Sequence, residues 1–120
     1  MSTSLLILQK PFGLFELDTT GTVLYSRVEP DGDGKGVAPD VSGLNFFEDV
    51  ASFENAAELR HRIATFTDSE GQADSFHFTC LFDNGPLPVK VLLARIRERS
   101  NGRRTKSILV HIRKVQSCTY

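Results

Sequence analysis

Apolar positions change their period along this 120-residue chain, and the changes mark its elements. Leu14 and Leu17, then Val23, Leu24 and Tyr25, flank the polar stretch Asp18-Thr19-Thr20-Gly21. There the aspartate offers a local acceptor and the glycine a permissive backbone position, so the spacing predicts a hairpin. Between residues 29 and 39 glycine and proline alternate with acids, as Pro30-Asp31-Gly32-Asp33-Gly34-Lys35-Gly36, which predicts an exposed loop. Residues 43–53 read as a short helix, with Asn45 as polar cap and Phe46 and Phe47 as aromatic anchors. A second helix is expected over 54–66, because Leu59, Ile63 and Phe66 recur at helical spacing while Glu58 and Arg62 share the wet side. The run Thr67-Asp68-Ser69-Glu70-Gly71 stops it.

The period then falls to two. Phe76, Phe78, Cys80 and Phe82 alternate with His77, Thr79 and Leu81, the mark of a strand with one aromatic face. Asp83-Asn84-Gly85-Pro86 turns the chain, residues 89–97 form the next strand, and a basic loop over 98–107 contains Asn101-Gly102. Residues 108–115 make a last strand with Ile108, Val110 and Ile112 on one face. The prediction is an α+β domain: a five-stranded antiparallel sheet with short helices packed on one face. An N-terminal cap segment over 1–12, a domain over 13–116 and a tail over 117–120 divide the chain.

Composition narrows the function. Apolar content of 40% suffices for one core in a chain of this length. Fourteen basic against fifteen acidic side chains give a net charge of -1, so no global field favours nucleic acid or an anionic membrane. Cys80 and Cys118 form no CxxC pair and stand near no histidine at metal-ligand spacing, so neither a disulfide framework nor a metal centre is expected. The run Leu5-Leu6-Ile7-Leu8 is too short for a secretory signal, and no segment nears the roughly 18 apolar residues of a membrane span. A cytoplasmic protein with free thiols is the expectation. The Asp31-Gly32-Asp33-Gly34 run suggests calcium, but Ser42 stands where an EF-hand needs its terminal glutamate, and a solvated loop is favoured.

One string is more specific. Gly43-Leu44-Asn45-Phe46-Phe47-Glu48-Asp49-Val50, with Phe53 following, resembles the short helical turn of PAS-type sensor domains, and among them the photoactive yellow protein-like ones. The resemblance extends without a gap from Leu14 to Val91 and returns at Arg113-Lys114-Val115; a longer basic hairpin near Arg103 and a shorter N-terminal cap depart from it. It implies a PAS-like fold and a sensory or interaction role in signal transduction. It also implies that the family's covalent chemistry is gone. Those domains hold an ionised cinnamoyl chromophore through a cysteine, a tyrosine, a glutamic acid, a threonine and an arginine, and Phe53, Ser26, Pro30, Gly34 and Gly36 stand at those places here. A thioester cannot form without a thiol, and a buried phenolate would lack its short hydrogen bonds. Tyr25 is one residue from the tyrosine place, and a shift of one in a strand turns it to the other face.

Two candidate surfaces remain. Phe46, Phe53, Ile63, Phe66, Phe76, Phe78 and Val110 either wall a cavity for a small apolar ligand or fill it, and a phenyl ring at the chromophore place favours filling. Leu81, Leu92, Leu109 and His111, with Val115 and His77, share the outer sheet face, which Leu5 and Leu8 can cover within the chain or across a dimer. The resemblance implies haem as a remote cofactor reading through His61, although Arg60 and Arg62 beside it suggest a wet face. The basic cluster from Arg95 to Lys106 carries no interleaved aromatic residue and reads as a solvated hairpin rather than a nucleic-acid site. With no GxSxG, P-loop or paired nucleophile, no catalytic residue is assigned and an enzyme is not expected. The expected function is a regulatory sensor or interaction module, forming a homodimer or docking to a signalling protein; the alternative is a structural homodimerisation module with a filled core and no ligand.

Overall fold

The computed structural model describes residues 12–29, 40–83, 85–98 and 105–115. Five strands, β1 (Gly13–Leu17), β2 (Val23–Val28), β3 (Ala73–Phe82), β4 (Gly85–Arg97) and β5 (Thr105–Lys114), form one antiparallel sheet in the order β2-β1-β5-β4-β3. A single π-turn (Phe46–Val50) and helix α1 (Ala56–Asp68) lie between β2 and β3 and cover one sheet face. The expected α+β class and five-stranded sheet are present. Among the described residues no helix is long and apolar enough to cross a membrane.

Alternation decides which side chains face the core. Phe15 and Leu17 on β1, Val89, Val91 and Leu93 on β4, and Ile108, Val110 and Ile112 on β5 are buried, and their neighbours in sequence face the other way. Gly13 opens β1 with φ +140, and a Cβ there would collide with the Arg27 carbonyl oxygen, so the site accepts only glycine.

The predicted hairpin is present, with Asp18 holding the turn. Its carboxylate accepts from the Thr20 hydroxyl at 2.7 Å and from the Thr20 and Thr22 N–H groups at 2.8 and 3.0 Å. Those hydrogen bonds, the Thr20 hydroxyl first, keep its carboxyl below the usual range despite some desolvation.

The predicted helix over 43–53 is shorter than its pattern suggested. The Asn45 side chain accepts from the N–H groups of Phe47 and Glu48 at 2.9 and 3.1 Å, and Asp49 accepts from the Asn45 N–H at 2.9 Å. This reciprocal cap starts the turn, but Ala51 N–H donates to the Phe46 carbonyl at 2.7 Å, an i to i+5 closure that ends it after five residues. The turn is stitched to the hairpin by Val23 N–H to Leu44 O at 2.8 Å and Phe46 N–H to Gly21 O at 2.9 Å.

Helix α1 begins two residues later and ends two residues later than its apolar stripe predicts, and both differences have causes. The Asn55 amide is committed to β3, donating to Thr79 O at 2.8 Å and accepting from Leu81 N–H at 3.0 Å, so the helix starts only after it. At the far end stands Arg95. Grouped by sequence with a solvated basic hairpin, it is instead buried on the core face of β4. Its guanidinium donates to the carbonyls of Phe66 at 2.6 Å, Thr67 at 3.0 Å, Ser69 at 2.8 Å and Gly71 at 2.9 Å, and to the Thr105 hydroxyl at 2.7 Å. A helix C-terminus leaves its last carbonyls unpaired and partly negative, and this cation answers them together, sharing that of Phe66 with the N–H and hydroxyl of Ser69. Burial, and secondarily the neighbouring Arg97, lower its pKa from the ordinary value, yet a guanidinium keeps its charge.

Removing this group would leave the part-buried carbonyls of Thr67, Ser69 and Gly71 without their guanidinium donor. Arg95→Met is expected to lower the unfolding free energy by about 3 kcal/mol in urea denaturation, and Arg95→Lys to recover only part of the loss because an ammonium cannot reach the same fan of carbonyls. A wild-type midpoint in Arg95→Met would show that the helix end does not need the cation.

Candidate functional site

The seven residues expected around a pocket all join one apolar cluster. Phe46, Phe53, Ile63, Phe66 and Val110 are buried, and Phe76 and Phe78 are half-buried against them. They do not form a single aromatic cage. Phe46 packs with Phe15 at 5.0 Å and edge-on to Phe47 at 5.3 Å, near the hairpin. Phe53 packs with Phe78 at 6.1 Å and Phe82 at 5.7 Å, toward the other end of the sheet. Both distances are those of favourable tilted ring pairs, so the phenyl group of Phe53, only 5% exposed, is packed as an ordinary core side chain.

The other place that the resemblance assigned and the structure describes is Ser26. Its hydroxyl donates to Asp40 at 3.3 Å and accepts from Val41 N–H at 3.2 Å, so it serves the loop rather than the interior. Tyr25 is 48% exposed and pairs with Glu16 on the outer face, as its one-residue offset requires. Pro30, Gly34, Gly36 and the Asp31-Gly32-Asp33-Gly34 run lie outside the described residues.

The arginines supply interactions that periodicity did not reveal. Arg62, expected beside Glu58 on the wet side, lies over the Phe76 ring at 3.9 Å, and Arg60 lies over Phe47 at 5.3 Å. The aromatic rows of the sheet edge and π-turn are therefore lidded by cations from α1. Nothing in an i,i+4 count shows this, because the ring belongs to a different element. His61, between them, is exposed on the side of α1 away from Leu59 and Ile63. Among the described residues no group of three or more histidine, cysteine, aspartate or glutamate side chains is placed to hold a metal ion.

On the outer sheet face three of the predicted interface residues meet. Leu92 pairs with His111, and Ala94 pairs with Leu109 across β4 and β5. Leu14, which the sequence pattern had not distinguished from its core neighbours, joins them opposite His111. These side chains line a groove of about 580 Å³. Leu81 is separate: it is 39% exposed and pairs with Pro86 near the β3–β4 turn. Leu5 and Leu8 lie outside the described residues.

Cys80 is 1% exposed, and burial pushes its thiol up to about 11. Thiolate is the reactive form, so this side chain is inert packing in the folded protein. A Cys118→Ser variant is expected to resist a thiol reagent near neutral pH until denatured, and then to take up one label; prompt native labelling would contradict the burial. Phe53→Ala should cost about 3 kcal/mol in urea unfolding, because it removes a ring that Phe78 and Phe82 cannot replace.

No protein-family model matches the chain. It is 31% identical over 83 residues to the photoactive yellow protein of Halochromatium salexigens, a match covering 69% of this chain and 66% of that relative. The chain thus matches slightly less than two thirds of the relative's length. This similarity and the five-stranded antiparallel sheet together fit a PAS-like relationship.

Proposed function

We propose that the domain is a regulatory interaction module of the PAS type whose working surface is the outer sheet face rather than an internal cofactor pocket. The observation that supports this best is the apolar floor formed by Leu14, Leu92 and Leu109 beside His111. An apolar groove on a sheet face with no helix against it in the described fold is a site for association. The filled surroundings of Phe53 support the same reading, since its ring packs as a core side chain at the place where the resemblance would put a covalent cofactor.

A second copy of the chain is the preferred partner, because a sheet face can pair with itself about a two-fold axis. In such a pairing, β4 connects the surface to the helical side. Leu92 and Ala94 face outward and Leu93 and Arg95 inward, so movement of that strand reaches the end of α1.

Native mass spectrometry with an absorption spectrum tests the reading in one sample. A colourless dimer of unadorned mass is expected, with Leu92→Lys becoming monomeric while keeping the wild-type circular dichroism. Added mass or a Soret band lost in His61→Ala would replace this reading with a cofactor-based sensor. A monomer at every concentration would remove self-association.

A further inference from the structure

We propose that the end of the outer sheet face away from the apolar groove is a binding site for a small oxyanion carrying two or more negative charges, of the phosphate and pyrophosphate class. This goes beyond the docking reading and does not depend on it. The register places His77 on β3 directly opposite Lys90 on β4, and Lys90 directly opposite Arg113 on β5. All three share the parity of Leu92 and His111, so they stand in one row across three adjacent strands on the outer face. Lys114 follows Arg113 with the opposite parity at the end of β5, and these four basic residues with Glu29 and Val115 line one cavity of about 560 Å³.

The arrangement is unfavourable without a counter-charge. Like charges at directly opposed sheet positions repel, with Cβ atoms only about 5 Å apart. The lining carries three fixed cations, on Lys90, Arg113 and Lys114, against the single carboxylate of Glu29, in a chain whose net charge is -1. Among the described residues no ion pair ties these three cations to a carboxylate. Protection of a sheet edge accounts for a polar residue on β3, which is the edge strand, but not for Lys90 and Arg113 on interior strands. A phosphate group answers the geometry: Arg113 offers a planar fork to two oxygens, Lys90 a point charge and the His77 ring a donor, with Lys114 adding positive charge at the strand end.

Calorimetric titration with inorganic pyrophosphate at constant ionic strength tests the site. One saturable site is expected, weakened at least about tenfold by Lys90→Gln and by Arg113→Gln, while Lys106→Gln, exposed on β5 outside the row, leaves it unchanged. A parallel titration with adenosine diphosphate separates sources: equal affinity supports the free anion, and tighter binding supports a nucleotide's phosphates. No saturable binding, or equal weakening by all three substitutions, would overturn the proposal. So would binding that appears only when Asp31→Asn and Asp33→Asn are combined, since the chain's own acidic loop would then be the occupant.

Discussion

The packing of helix against sheet depends on a buried cation placed where a helix ends. Arg95 lies on the core face of β4, a position where alternation calls for an apolar side chain, and it answers the carbonyls of Thr67, Ser69 and Gly71 and shares that of Phe66 with Ser69. Leu59, Ile63 and Phe66 supply the apolar stripe of α1, but a stripe fixes only which face is buried, not where along the sheet the helix stops. Arg95 sets that end, and its guanidinium lies 4.9 Å from the Phe66 ring centre, so one residue joins the last buried turn to the strand beneath. The opposite end is set by Asn55, whose amide bonds to two backbone groups of β3 instead of capping its own helix. The helix is thus fixed to neighbouring strands at both termini, by polar side chains that bond to backbone groups.

With the helix so placed, the interior has little freedom to change role. Phe53 sits among Phe78 and Phe82, and Phe46 against Phe15, so the two halves of the core each carry their own ring contacts. Converting such a core to a cofactor site requires removing ring volume that dense packing has already used. The outer face differs. Its residues alternate with core residues on the same strands, so the sheet presents a second surface whose chemistry is independent of the first, split into an apolar half around Leu92 and Leu109 and a cationic half around Lys90 and Arg113.

The sheet was legible because its signals are local. The alternation of Phe76, Phe78, Cys80 and Phe82 and of Ile108, Val110 and Ile112 reads directly as two faces, and the Asp18 to Gly21 turn follows from side-chain acceptor chemistry. The outer-face set Leu92, Leu109 and His111 was legible for the same reason. Leu81 was grouped with them because parity gives a face but not a height along it, and only strand register moves it to the far end. Arg95 was misread because a charged residue among charged neighbours looks solvated. The acceptors that bury it come from residues 66 to 71, more than twenty positions away, and no window over the hairpin contains them. Arg62 over Phe76 and the row of His77, Lys90 and Arg113 share that origin: each is a juxtaposition across elements.

The same limit separates a single position from a surface. The residue at one position is read directly, whereas a surface is distributed over strands that meet only after folding. On β4 the two kinds of position interleave: Val91, Leu93 and Arg95 look inward, and Lys90, Leu92 and Ala94 look outward. A strand held at one face by a buried guanidinium and exposed at the other cannot shift along its axis without moving both sets of side chains. That mechanical unity makes an outer-face contact able to bear on the end of α1 without any ligand in the core.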